Sequence, residues 1–138
     1  MPESRVQEII TGRVASVRLG PNEDLIEGLD QAAARLGFRR ALVRSGLGSL
    51  IDVTFQDEAG ALRRISGPAV EVLSMSGEIS LDDEDAGRAV GVSSIVADPS
   101  GAVWAGRFAR GKNPVCVTIE AVLEEILIAP DEHWRSPF

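Results

Sequence analysis

The sequence predicts a single α+β domain in which one amphipathic helix packs against a mostly antiparallel sheet. Three observations point there. Apolar residues recur at helical spacing only once, over Leu25, Ile26, Leu29, Ala33 and Leu36. The chain that follows reads as about seven strands and their turns, with no second helical stretch. Helix and strand therefore do not alternate as they do in a doubly wound parallel fold. A chain of 138 residues is long enough to bury one core of its own.

Each element has a local reason. Over Gly12–Leu19, Val14, Val17 and Leu19 alternate with polar residues and predict a first strand. Pro21-Asn22-Glu23-Asp24 starts a helix over Glu23–Leu36, with Asn22 as the expected cap and Gly37 as the terminator. Arg40–Arg44 reads as a short strand that opens into a glycine-rich bend, Ser45-Gly46-Leu47-Gly48-Ser49. Ile51–Gln56 and Leu62–Ile65 form a hairpin around Glu58-Ala59-Gly60. After Gly67-Pro68 comes a long strand, with Leu73, Met75, Ile79 and Leu81 assigned to one face and Ser74, Ser76, Glu78 and Ser80 to the other. Ser94–Arg107 gives two strands joined at Asp98-Pro99-Ser100-Gly101, where Pro presets φ and Gly accepts a positive one. In the last strand, Val115, Val117, Ile119, Ala121 and Leu123 face away from Cys116, Thr118, Glu120 and Glu124. Pro130–Phe138 reads as a tail that Trp134 and Phe138 pin to a neighbouring surface. One helix cannot cover such a sheet, so association with another copy is expected.

Composition removes several function classes. No apolar run approaches the ~20 residues of a membrane span, and the N-terminal residues lack a basic segment leading into an apolar core. A cytoplasmic location without membrane contact is the expectation. Cys116 is the single cysteine and His133 the single histidine, which rules out an internal disulfide and any multi-histidine centre within one chain. Asp82-Asp83-Glu84-Asp85 reads as a solvated loop. The net charge of −7 opposes phosphate backbones. Lys112 is the only lysine, so the positive charge is almost all arginine, the side chain suited to forked pairing with carboxylates and phosphates.

Several segments resemble, in order, the plants-and-prokaryotes-conserved (PPC) domain, a family whose members often carry a DNA-binding label. They are Val17–Leu25, Ser45-Gly46-Leu47-Gly48-Ser49-Leu50, Gly67–Gly77, Ala97-Asp98-Pro99-Ser100-Gly101 and the closing strand Val117–Glu125. The resemblance covers about Gly12–Ile126. It implies an N-terminal extension at 1–11, a PPC-like domain at 12–128, a tail at 129–138, and assembly as a homotrimer. Many prokaryotic members carry a His-x-His pair before the Asp-Pro turn and a third histidine after it, together binding a metal. Aligned on the turn, those places are held here by Gly91, Ser93 and Arg107. The resemblance therefore implies a member without the family's metal and without a cofactor, since a guanidinium cannot deprotonate to become a ligand.

Arg107 is expected to fill that place with positive charge, either in an ion pair with Glu71 or Glu120 or as a site for a small carboxylate or phosphate. Arg44 and Glu71 are assigned to an intersubunit groove or to each other. Other features read as structural. Arg110-Gly111-Lys112-Asn113-Pro114 is similar to an AT-hook core but lacks flanking basic residues, and it reads as a loop. Cys116 has no base near it in the sequence, and Ser45 and Ser49 lack triad partners. Gly46-Leu47-Gly48 precedes no helix and so fails as a phosphate cradle. Trp104, in phase with Ala102, Gly106 and Phe108, belongs to the core or a subunit contact. The leading reading is a homotrimeric binding or assembly module without catalytic activity, its partners being itself and an anionic small molecule or another protein. The alternatives are a small-molecule-binding protein or enzyme with an intersubunit pocket, and a DNA-associated regulator. The isolated domain is not expected to bind DNA.

Overall fold

The computed structural model describes residues 4, 6–81 and 91–127. The acidic run Asp82–Asp85, His133 and the pair Trp134 and Phe138 lie outside the described residues. The elements run β1 (Ile10–Leu19), α1 (Leu25–Leu36), β2 (Arg40–Leu50), β3 (Val53–Gln56), β4 (Leu62–Ile65), β5 (Val70–Ser80), β6 (Gly91–Ala97), β7 (Val103–Arg107) and β8 (Val115–Leu127). Six strands form one antiparallel sheet in the order β1-β8-β2-β5-β6-β7, and β3 pairs with β4 in a separate hairpin. The predicted class holds. Among the described residues there are eight strands where about seven were expected.

α1 lies on one face of the sheet. Its buried residues Leu25, Ile26, Leu29 and Ala33 join Val17, Leu19, Val43, Ile119, Ala121 and Leu123 in a single core. The helix ends at Gly37 in the left-handed conformation, as expected. Its start differs: the cap is Asp24, whose carboxylate accepts the Glu27 N–H at 3.0 Å. Asn22 instead occupies a turn at φ 71°, donating its N–H to the Val115 carbonyl at 2.8 Å. Asp24 wins because it also accepts the Gly111 N–H at 3.1 Å and the Asn113 N–H at 2.8 Å, tying the helix to the β7–β8 loop.

The glycine-rich segment 45–49 is not a bend. β2 runs straight through it between β5 and β8. An added Cβ at Gly48 would lie 2.0 Å from the Thr118 carbonyl oxygen, and one at Gly46 would lie 2.0 Å from Met75 Cε. These glycines let three strands approach closely where the register slips.

Such slips overturn two face assignments. Between Val72 and Ser74 the β5–β6 pairing shifts, turning Leu73 out to 51% exposure while Met75 and Ile79 stay buried. Leu81 lies past the end of β5 and is also exposed. Between Gly48 and Leu50 the β2–β8 pairing shifts, and Val117 emerges to 67% exposure. Ser94, buried in β6, donates its hydroxyl to the Ser74 carbonyl at 2.7 Å, which satisfies the backbone that the first slip displaces.

The face of the sheet opposite α1 is open. Leu47, Leu73, Ile95 and Val103 are exposed large apolar residues of its strands.

Candidate functional site

Arg107 is positioned from the β6–β7 turn. Asp98 Oδ1 accepts N–H groups from Ser100 at 2.9 Å and Ala102 at 3.0 Å, as well as the Ser100 hydroxyl at 2.6 Å. Its Oδ2 accepts the Trp104 indole N–H at 2.9 Å. The Ser100 hydroxyl and the Trp104 indole, ahead of the two backbone donors, bring the Asp98 carboxyl down to about 2. This turn fixes the register of β7 against β6, in which Ser93 pairs with Arg107 and Ser94 with Gly106. Trp104 and Phe108 turn toward the core as predicted, and the Phe108 ring lies 5.6 Å from that of Phe55.

The register continues across the sheet. Ser76 pairs with Ser93, and Glu78 with Gly91. Val43 pairs with Gly77, so Arg44 lies beside Ser76. Arg44, Ser76, Ser93 and Arg107 thus form one row on the open face. Two cavities of about 580 and 530 Å³ meet along it, both lined by Ser76, Ser93 and Arg107. The second also takes in Arg44, Glu78 and Gly91. The Arg107 stem lies across Gly91, where an added Cβ would sit 3.0 Å from Cδ and 3.4 Å from Nε.

Of the residues predicted at the site, Gly91, Ser93, Arg107 and Arg44 come together, whereas Glu71 and Glu120 do not. Glu71 is opposite Ala97, five residues along β5 from Ser76, or roughly 16 Å at strand rise. Glu120 lies on β8, four strands from β7, about 19 Å at inter-strand spacing. It pairs with Arg18 at 3.3 Å. The expected Arg107 ion pair with either acid is therefore not formed. Among the described residues no carboxylate pairs with Arg107. Arg44 pairs with Glu124 at 3.5 Å and not with Glu71.

Ser76 belongs to the site and was not singled out from the sequence, although its phase with Glu78 on the polar side of β5 was the available signal. Glu78 is engaged by Arg40, whose Nε donates at 2.9 Å. The remaining candidates are structural. The Ser49 hydroxyl accepts the Val117 N–H at 3.3 Å, Cys116 is half-buried in β8, and Arg110 pairs with Asp30.

The groups at 91, 93 and 107 do not fit a zinc ion. They offer a hydrogen, a hydroxyl and a guanidinium, where zinc takes imidazole, thiolate or carboxylate donors. Among the described residues no group of three His, Cys, Asp or Glu side chains converges to hold a metal, and no helix is long and apolar enough to cross a membrane.

An antiparallel sheet with one helix-covered face and a polar row across the other defines a single α+β domain of PPC-like fold. The chain belongs to the Plants and Prokaryotes Conserved (PCC) domain family, whose model matches residues 7–127. Its fold is that of a hypothetical protein from Salmonella enterica (TM-score 0.72, 24% identity, covering 87% of this chain and 81% of that one). It is also that of a plant- and prokaryote-conserved protein from Pyrococcus horikoshii (TM-score 0.71, 21% identity, 88% and 84%). A metal-containing protein from Archaeoglobus fulgidus shares it as well (TM-score 0.67, 18% identity, 89% and 86%). A search of curated proteins found no match to the sequence.

Proposed function

We propose that this PCC-family chain is a cytoplasmic, non-catalytic homotrimeric binding module whose Arg107 site takes a small anion where metal-binding relatives take a cation. The observation that carries the reading is the placement of Arg107. Its stem folds over Gly91 into a cavity floored by Ser76 and Ser93, and no carboxylate among the described residues forms an ion pair with it, although Asp57 and Glu58 line the adjoining cavity. A guanidinium held this way in a chain of net charge −7 is a local anion attractor.

Assembly is supported by the open face. Leu47 lies beside Leu73, because Gly48 pairs with Val72, and Ile95 pairs with Ser74 in the next strand. These exposed side chains make an apolar row along the polar one, suited to burial against a second copy. Because the rows adjoin, a cavity completed between copies favours, as the second reading, a small-molecule-binding protein or enzyme with an intersubunit pocket. The DNA-associated reading has less support. The chain is acidic, and Arg110 of the loop that resembles an AT-hook is already paired with Asp30.

Light scattering on the eluted peak, with metal analysis of the same fraction, tests the proposal. A mass of three chains with zinc far below one ion per chain is expected. Calorimetric titration with succinate should give saturable heat, lost in Arg107→Gln. A monomer, stoichiometric zinc, or no binding of any anion would overturn the proposal.

A further inference from the structure

We infer that the cavity takes a small dianion with two separated anionic groups, one held by Arg107 and the other by Arg44. This rests on the anion-site reading above and adds a ligand class to it. The row Arg44, Ser76, Ser93 and Arg107 crosses four adjacent strands, so the two arginine backbones stand three inter-strand steps apart, about 14 Å. Both side chains line the same cavity. A compact anion on one guanidinium leaves the other idle, whereas a short chain with an anionic group at each end uses both.

The charges around the cavity agree. Glu78 is held by Arg40 and is not a competitor for Arg107. Glu124 contacts Arg44 at 3.5 Å, and the Arg44 side chain is 60% exposed, so that pair is weak and open to exchange with a ligand carboxylate. Asp57 and Glu58 line the adjoining cavity with Arg107 but form no ion pair with it among the described residues, so an incoming dianion can replace Glu124 at Arg44 while pairing with Arg107. Between the two cations, the Ser76 and Ser93 hydroxyls have no protein partner among the described residues and can donate to oxygens along the ligand. Gly91 acts as a positioning residue, because the space it leaves is where the Arg107 stem lies.

Calorimetry on the full chain separates this from the simpler site, with acetate, succinate, glutarate and inorganic phosphate as probes. Succinate or glutarate should bind about tenfold tighter than acetate, the scale of one added charge-assisted contact. Phosphate, too compact to span, should bind near the acetate level. Arg44→Gln should bring the diacids down to acetate affinity, and Arg107→Gln should abolish binding of all four probes. Both arginines are exposed, so thermal melts of the variants should match the parent within a few degrees. Equal affinity for acetate and diacids, phosphate binding as tightly as the diacids, or no effect of Arg44→Gln would overturn the two-ended site while leaving a single-arginine site standing. Absence of binding by every probe would sink both.

Discussion

Replacing Asn113 with alanine should destabilise the domain more than any surface change near the site. Asn113 is fully buried in the loop between β7 and β8. Its Oδ1 accepts the Thr54 N–H at 2.8 Å, and its Nδ2 donates to Ala109 O at 2.7 Å and Thr54 O at 3.2 Å. Alanine leaves the Thr54 N–H without its acceptor and the Ala109 carbonyl without this donor. The Thr54 carbonyl keeps the Ala109 N–H at 2.9 Å. Two buried backbone groups stripped of partners cost roughly 1–3 kcal/mol each, or about 2–6 kcal/mol together. A chain of 138 residues unfolds with an entropy of about 0.29 kcal/mol/K near its midpoint, so the melting temperature should fall by roughly 7–20 °C. Calorimetric melts of Asn113→Ala beside Arg110→Ala measure this. The second variant loses only an exposed ion pair and should change stability by less than ~1 kcal/mol. A fall below about 3 °C for Asn113→Ala, or equal falls for both, would refute the claim that this amide joins the loop to β3.

Gly48→Ala and Gly101→Ala both place alanine at positive φ, but only at 48 does the new Cβ meet backbone, 2.0 Å from the Thr118 oxygen. Denaturant titration should show a loss of about 2–4 kcal/mol at 48 and about 1 kcal/mol at 101, and equal losses would contradict the close β2–β8 approach. Asp98 is depressed from 3.8 to about 2, so the folded state favours its ionised form. Its contribution is complete above pH 4 and is lost as the pH falls through 2, so the melting gap between the parent and Asp98→Asn should close over that window. A gap that widens on acidification would contradict the turn's hydrogen bonding. Leu73→Asp places a charge in the apolar row and should shift the light-scattering mass toward one chain, and an unchanged mass would remove that row from the interface.

What was legible in the sequence was what local chemistry decides. The Asp98–Gly101 turn, the α1 periodicity and the Gly37 terminator depend on neighbours a few residues away, and all are as predicted. The phase placing Ser93 and Arg107 on one face followed from strand alternation on either side of that turn. Strand order was not legible. Without knowing that β2, β5 and β6 separate β8 from β7, Glu120 could be drawn to Arg107. Alternation also fails silently at a slip, which is why strict alternation puts Leu73 on one face with Met75 and Ile79, and Val117 on one face with Val115 and Ile119. The roles of Asp24 and Asn113 rest on partners 89 and 59 residues away, and no window of sequence contains both ends of either contact.

The Gly91 and Arg107 positions make sense only together. With a side chain at 91, the Arg107 stem would be pushed off β6 toward solvent, where its charge would be screened and its aim lost. With histidine at 107 and glycine at 91, one imidazole would remain, too few donors for a closed zinc site. The pair present does neither: it holds a permanent cation low over the sheet, within the reach of two serine hydroxyls and facing a second arginine. Such an arrangement is costly in a core, because an unpaired guanidinium resists desolvation. It is tolerated here because Arg107 remains exposed. If the apolar row beside it is buried between copies, that exposure shrinks and the need for a counter-charge grows. Assembly and anion binding on this face should therefore favour one another.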